Sequence, residues 1–275
     1  IVTQFNAVVG DIEGNTSRII EIILNNRSLL VTKVFIFPEL ALCGYSPEDL
    51  LFRKDFAQKI NNAINEIENI VVNNEYLILG APRYSKDYTK VWNSAFIISN
   101  KKTISIYDKQ ILPNYGVFDE KRYFEKGCKN TVLNIKGNKI ALLICEDSWN
   151  FNNIYNEKLK NIDFLISINA SPYEKGKEKV RINFFKKLSK KHAFNLIYLN
   201  TIGGQDEIVF DGSSFIVDRE GNIKKTFKSF AEESCNVLID GGEFLEESSF
   251  NTTNNIADEE EALYEAIKLG TYDYI

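Results

Sequence analysis

Lys139-Ile140-Ala141-Leu142-Leu143-Ile144-Cys145-Glu146-Asp147-Ser148-Trp149 is the stretch whose reading decides the fold of this chain. A short apolar run stops abruptly at a cysteine followed by two carboxylates. Such a run predicts a buried strand of an α/β sheet. Cys145 then stands at the strand's carboxyl end, where open α/β sheets collect their ligands. A helix-like segment is predicted from about Phe151 to Leu159, so the chain leaves the strand through a tight turn. Backbone N–H groups at such an exit can face a developing oxyanion. Taken alone, Cys145 reads as one more buried small hydrophobe. Its neighbours along the chain change that reading.

Upstream, Ile1 to Val9 predicts a first strand, and Gly10 to Asn15 the turn after it. Thr16 to Leu30 has the spacing of an amphipathic helix. Val34-Phe35-Ile36-Phe37 is an apolar strand closed by Pro38, which puts Glu39 at the sheet's carboxyl edge. On local grounds Glu39 could equally be a solvated loop residue. A helix from Phe56 to Val72, a strand from Leu77 to Pro82 and a hairpin around Asn100-Lys101-Lys102 follow. Asp108 opens a turn-rich loop of lysine, aromatics and carboxylates that ends in Arg122-Tyr123-Phe124; such loops usually carry function, although Lys109 taken alone reads as a solvated charge.

Downstream, strands are predicted at Asp163–Ile168, Asn195–Asn200, Ile208–Phe210 and Phe215–Asp218, with a basic helix from Glu178 to His192 between the first two. Gly203-Gly204 is too short to cradle a phosphate and reads as a turn. The acidic run Asp258 to Glu261 opens a last helix, expected to reach Leu269 and stop at Gly270. Strand–helix alternation, twice over, predicts an α/β sandwich with helices covering the sheets.

Composition narrows the class. The 275 residues suffice for one large α/β domain with a full core. Hydrophobic residues make up 44% and charged residues 26%, with net charge −5 and no long basic block, so no nucleic-acid footprint is expected. No apolar stretch approaches the roughly 18 residues of a membrane span, and no signal peptide is expected. The four cysteines lie far apart with no C-x-x-C pair. That predicts neither a structural zinc site nor a disulfide framework, and favours a reducing cytoplasm. With no methionine in the sequence, Ile1 is not expected to be the translational start.

Phe37-Pro38-Glu39-Leu40, Lys109 in its Leu-Pro-Asn-Tyr loop, and Cys145 in Ile-Cys-Glu-Asp resemble the Glu–Lys–Cys triad of the nitrilase superfamily. One branch is closer still, the glutaminase domains of glutamine-dependent NAD synthetases. The strings that look like that branch are Glu39–Asp49, Leu112–Phe124, Asn169–Tyr173 and Gly203–Gly212. The resemblance implies an α-β-β-α sandwich that hydrolyses L-glutamine to glutamate and ammonia through a thioester on Cys145. It implies Glu39 as general base then acid, Lys109 as oxyanion stabiliser, and Glu120 as the second glutamate that holds the lysine. It also implies glutamine contacts from Tyr115, Glu146, Ser171 and Lys177. Bland readings compete for two of these: Ser171 as a turn-capping hydroxyl before Pro172, and Lys177 as a solvated charge. A carboxylate and an ammonium beside one thiol pull its pKa in opposite directions, so the net shift is not readable from sequence.

Relatives of this type continue into a domain that amidates deamido-NAD with ATP and Mg. That domain needs a Ser-Gly-Gly-x-Asp-Ser loop, which is not in the sequence. Residues 1–250 are therefore expected to be the glutaminase domain, and 251–275 a linker and the start of a truncated synthetase domain. No cofactor is expected for the glutaminase chemistry. The implied partners are glutamine, the synthetase domain and further copies of the chain. Competing readings are a stand-alone nitrilase-type amidase, a non-catalytic oligomerisation domain, a Cys–His enzyme using His192, and a redox thiol. The last two are poorly served: His192 is the only histidine and lies in a lysine-rich helix, and no second cysteine sits near Cys145.

Overall fold

The computed structural model describes residues 1–28, 30–245 and 258–275. The first half runs β1 (Val2–Gln4), α1 (Ile12–Asn25), β2 (Lys33–Ile36), α2 (Lys54–Ile70), β3 (Glu75–Tyr84), β4 (Val91–Ser99) and β5 (Lys102–Asp108). The second half runs α3 (Glu120–Tyr123), β6 (Thr131–Ile135), β7 (Asn138–Ile144), α4 (Glu146–Trp149), α5 (Phe151–Ile154), β8 (Phe164–Asn169), α6 (Lys177–His192) and β9 (Asn195–Asn200). It continues with β10 (Ile202–Gln205), β11 (Ile208–Asp211), β12 (Phe215–Val217), β13 (Ile223–Thr226), β14 (Glu233–Cys235) and α7 (Glu259–Tyr274).

Two six-stranded sheets result, ordered β14-β1-β2-β3-β4-β5 and β13-β12-β9-β8-β7-β6. Each has a parallel centre (β1/β2/β3 and β7/β8/β9) and antiparallel edges. Side chains alternate across a strand, and the apolar residues at the centres of β3 and β4 obey this. Ile78, Ala95 and Ile97 join a cluster with Leu142, Ile144 and Ile166 of the second sheet. Leu77, Leu79, Phe96 and Ile98 join another with Ile19 and Ile23 of α1 and Ile60 and Ile67 of α2. Phe185 and Leu188 of α6 sit on the outer side of the second sheet. The architecture is the α-β-β-α sandwich that the resemblance implies.

Several local expectations are corrected. Asp11 caps α1, its Oδ1 accepting from Gly14 N–H at 2.9 Å, so the helix begins at Ile12 inside the predicted turn and ends at Asn25. The predicted helix from 151 to 159 is broken: Tyr155 and Asn156 are extended, leaving α5 and a single 3-10 turn at Glu157–Leu159. Gly203-Gly204 is not a turn but part of β10, paired with β11. The last helix does not stop at Gly270 but continues to Tyr274. Both glycines serve one contact, because a Cβ on Gly204 would stand 2.6 Å from Gly270 Cα. Asp273 completes this junction, accepting from Gly204 N–H at 2.8 Å and from Asn6 Nδ2 at 3.0 Å. The expected domain boundary between residues 250 and 251 lies outside the described residues.

Candidate active site

The site forms where the carboxyl edges of the two sheets meet. From the first sheet, β2 ends at Ile36, and Phe37-Pro38 carries the chain to Glu39. The Pro38–Leu40 backbone lies so close to β3 that a Cβ on Gly80 would fall 2.2 Å from the Pro38 carbonyl oxygen. Lys109 directly follows β5, its N–H donating to Asn93 O at 2.8 Å. From the second sheet, Cys145 follows β7 with φ 45° and ψ −102°. That backbone is sparsely populated for a residue bearing a Cβ, and such strain gathers at functional sites. The turn is fastened by Cys145 N–H to Ile168 O at 3.0 Å and by Ser148 N–H to Cys145 O at 2.9 Å. Trp149 anchors it further, packing on Phe184 and Phe185 of α6.

Lys109 Nζ lies 2.7 Å from Glu39 Oε1 and 2.7 Å from Glu120 Oε1, with all three side chains buried. Glu39 is held from every side. Asn93 Nδ2 donates to its Oε1 at 2.7 Å, and the Ala170 N–H donates to its Oε2 at 2.7 Å. Tyr45 OH donates to Glu120 Oε1 at 3.0 Å, whereas Glu120 Oε2 is buried without a hydrogen-bond partner among the described residues. Burial, with Glu39 nearby and against the pull of Lys109, pushes the Glu120 carboxyl up to about 7. Burial also works against the Lys109 charge, but Glu120, Glu39 and Cys145 together outweigh it and hold the ammonium well above the usual lysine range. The Cys145 thiol is driven well above its ordinary value, first by burial and then by Glu39, with Lys109 opposing. Of the two opposing pulls named from the sequence, that of Glu39, joined by burial, outweighs that of Lys109.

Tyr115 and Glu146 form a pair at the mouth, Tyr115 OH donating to Glu146 Oε2 at 2.9 Å. Asn150 Nδ2 holds the other Glu146 oxygen at 2.9 Å. Tyr115 is exposed and packs edge-on against Phe118, which in turn meets Tyr45. Ser171 is buried beside Ala170, its N–H and carbonyl bonded to the Asn200 side chain. That arrangement leaves its main chain fully occupied. Lys177 lies at the start of α6, its ammonium 3.6 Å from Glu174. The structure thus brings Glu39, Lys109, Glu120 and Cys145 together, and pairs Tyr115 with Glu146. It does not place Lys177 in their hydrogen-bonded network. His192 packs among Phe151, Tyr155 and Phe194 at the end of α6. Among the described residues, no group of His, Cys, Asp and Glu is arranged to hold a metal, and no helix is long and apolar enough to cross a membrane.

Sequence reasoning missed Asn93, Tyr45 and the Ala170 N–H. Asn93 had a signal, an amide side chain within the largely apolar strand Val91–Ser99. A backbone donor such as Ala170 N–H has none.

The chain resembles known proteins along nearly its whole length. The glutamine-dependent NAD(+) synthetase of Acinetobacter baylyi is 33% identical over 99% of this chain and 49% of the relative. That of Aquifex aeolicus is 35% identical over 87% of this chain and 42% of the relative. The solved glutamine-dependent NAD+ synthetase of Acinetobacter baumannii, in complex with ADP, superposes with a TM-score of 0.89 at 32% identity, over 99% of this chain and 51% of that one. An amidase of the nitrilase superfamily from Nesterenkonia shares the fold at a TM-score of 0.70 and 20% identity, covering 82% of this chain and 84% of that one. The chain spans about half the length of the synthetases it matches. Residues 2–243 match the carbon-nitrogen hydrolase family, and this chain belongs to it.

Proposed function

We propose that this chain is the glutamine-hydrolysing portion of a glutamine-dependent NAD synthetase, with Glu39, Lys109 and Cys145 as its catalytic triad. The observation that carries the reading is the buried Lys109, gripped by Glu39 and Glu120, with Cys145 within electrostatic reach of all three. It stands in a chain that matches one half of such synthetases end to end.

With burial and Glu39 both opposing ionisation of the Cys145 thiol, the base acts during attack rather than before it. Glu39 takes the thiol proton as sulfur bonds to the carboxamide carbon, and the carbonyl electron pair moves to oxygen. Lys109 and the N–H after Cys145 stabilise that oxyanion. Collapse breaks the C–N bond, Glu39 returns the proton to nitrogen, and ammonia leaves a thioester on Cys145. Glu39 then deprotonates water. The resulting hydroxide attacks the thioester, the C–S bond breaks, and the proton goes back to sulfur. Glu120, with its raised pKa and second bond from Tyr45, holds Lys109 in place. Tyr115, Ser171 and Lys177 contact the glutamine, and Glu146 helps to receive its ammonium group.

No cofactor enters these steps. ATP, Mg and deamido-NAD belong to the synthetase domain, which would consume the ammonia. We assign 1–250 to the hydrolase and 251–275 to the link and the start of that domain. Location in the cytoplasm accords with the four scattered thiols, and association of copies with the exposed apolar residues Phe52, Val117 and Tyr264. The test is release of glutamate and ammonia from glutamine by this chain and by its Cys145→Ala variant, with asparagine and a simple aliphatic amide as rivals. Glutamine-selective turnover lost in the variant is the expected result. Turnover that survives Cys145→Ala overturns the mechanism, and preference for the aliphatic amide overturns the substrate.

A further inference from the structure

Asp147 lies two residues beyond Cys145 and is fully buried, yet no step above uses it. Its carboxylate reaches across from the second sheet to the first. Oδ1 accepts from Ile111 N–H at 2.7 Å and from Gln110 N–H at 3.1 Å. Oδ2 accepts from Tyr107 OH at 2.7 Å and lies 3.2 Å from Gln110 N. The donors come from Tyr107, Gln110 and Ile111, which bracket Lys109 on both sides. Gln110 is itself tied down, its Nε2 donating to Tyr107 OH at 3.2 Å and to Asn130 Oδ1 at 2.5 Å.

We infer that Asp147 is a positioning residue: it clamps the segment bearing Lys109 onto the turn bearing Cys145, and so sets the distance between the oxyanion's cation and the nucleophile. The inference rests on the triad proposed above. Among the described residues the Lys109 backbone is otherwise held by Lys109 N–H to Asn93 O and by Gly127 N–H to Lys109 O, neither of which reaches the turn bearing Cys145. The Lys109 side chain likewise points to Glu39 and Glu120, which leaves its relation to Cys145 to a link between the sheets. Asp147 supplies that link with two main-chain donors and one hydroxyl converging on one carboxylate. The bonds need an ionised acceptor. Burial drives the Asp147 carboxyl up to about 6, against the bonds from Tyr107 and the charge of Lys109.

Asp147→Asn tests this. The amide keeps one oxygen for the Gln110 and Ile111 N–H groups, but its NH2 meets a Tyr107 hydroxyl that already accepts from Gln110. The segment must then shift. A misplacement of about 1 Å at a catalytic group costs on the order of 100-fold in rate. The expected result is a fall in kcat of roughly 10- to 100-fold with KM for glutamine unchanged, because Tyr115 and Glu146 are not touched. Tyr107→Phe removes one bond of the clamp and keeps the ring, so it carries the test if Asp147→Asn does not fold. It should lower kcat several-fold, and the double variant should fall no further than Asp147→Asn alone. Wild-type kcat in either folded variant, a loss expressed in KM, or fully additive effects would overturn the inference. Failure of the triad itself reads differently, as turnover in unsubstituted protein that does not depend on Cys145.

Discussion

Lys109→Met replaces the buried cation with a side chain of similar volume and leaves Glu39 and Glu120 facing each other, each having lost a contact of 2.7 Å. Removing one partner of a buried ion pair costs about 3–5 kcal/mol. Here the molecule has an escape, because one carboxyl can take up a proton. Glu120 is the one to do so: burial already holds it up to about 7, and its Oε2 has no hydrogen-bond partner among the described residues. The sign follows from linkage. An acid whose folded pKa exceeds its unfolded value binds more protons when folded, so stability falls as pH rises between the two values. With Lys109 present that window closes near pH 7. Without it the folded pKa moves higher, and the window extends upward. Between about pH 7 and 8.5 the variant should lose about 1.4 kcal/mol per pH unit that the parent does not, or roughly 2 kcal/mol in all. Urea unfolding followed by fluorescence of Trp92 and Trp149 measures it. Both proteins should carry Cys145→Ala, so that thiol ionisation does not contribute. Parallel stability curves over that range would refute the reasoning.

Three further outcomes are expected. Cys145→Gly should be about 1 kcal/mol more stable than Cys145→Ala by chemical unfolding, because at φ 45° and ψ −102° a Cβ is strained and glycine is not; equal stabilities would remove the case for a strained turn. Gly204→Ala should cost about 1–3 kcal/mol, because its Cβ would press on the Gly270 backbone. Hydrogen exchange should then quicken in α7 before anywhere else. Tyr115→Phe gives up a bond of 2.9 Å to Glu146, worth about 1 kcal/mol. KM for glutamine should rise about five-fold with kcat nearly unchanged, and a loss confined to kcat would argue against a role in binding.

What could be read from the sequence was set by how local its causes are. β2, β7 and β9 are short, mainly apolar runs ended by Pro38, Cys145 and Asn200, and their existence follows from that pattern alone. Glu39, Lys109, Glu120 and Cys145 were recognisable because each sits in a short string with neighbours of characteristic type. The β10 strand was not, because Gly203-Gly204 looks like a turn until α7 is seen lying against it. The break after α5 also escaped, since the extended backbone at Tyr155 and Asn156 interrupts a stretch whose composition suits a helix. The ring of donors around Glu39 was beyond local reading for a different reason. Asn93 is 54 positions from it and the Ala170 N–H is 131 positions away, so they meet only once both sheets exist.

The division of the site between two sheets bears on how the chain folds. Glu39 and Lys109 come from one half of the sequence, and Cys145, Asp147 and Ala170 from the other. On the triad proposed above, an intermediate with either sheet formed alone would have its strands and helices but no working nucleophile. During refolding, circular dichroism should recover first and hydrolysis only when the sheets dock. Catalytic activity therefore becomes a clock for the last step of assembly.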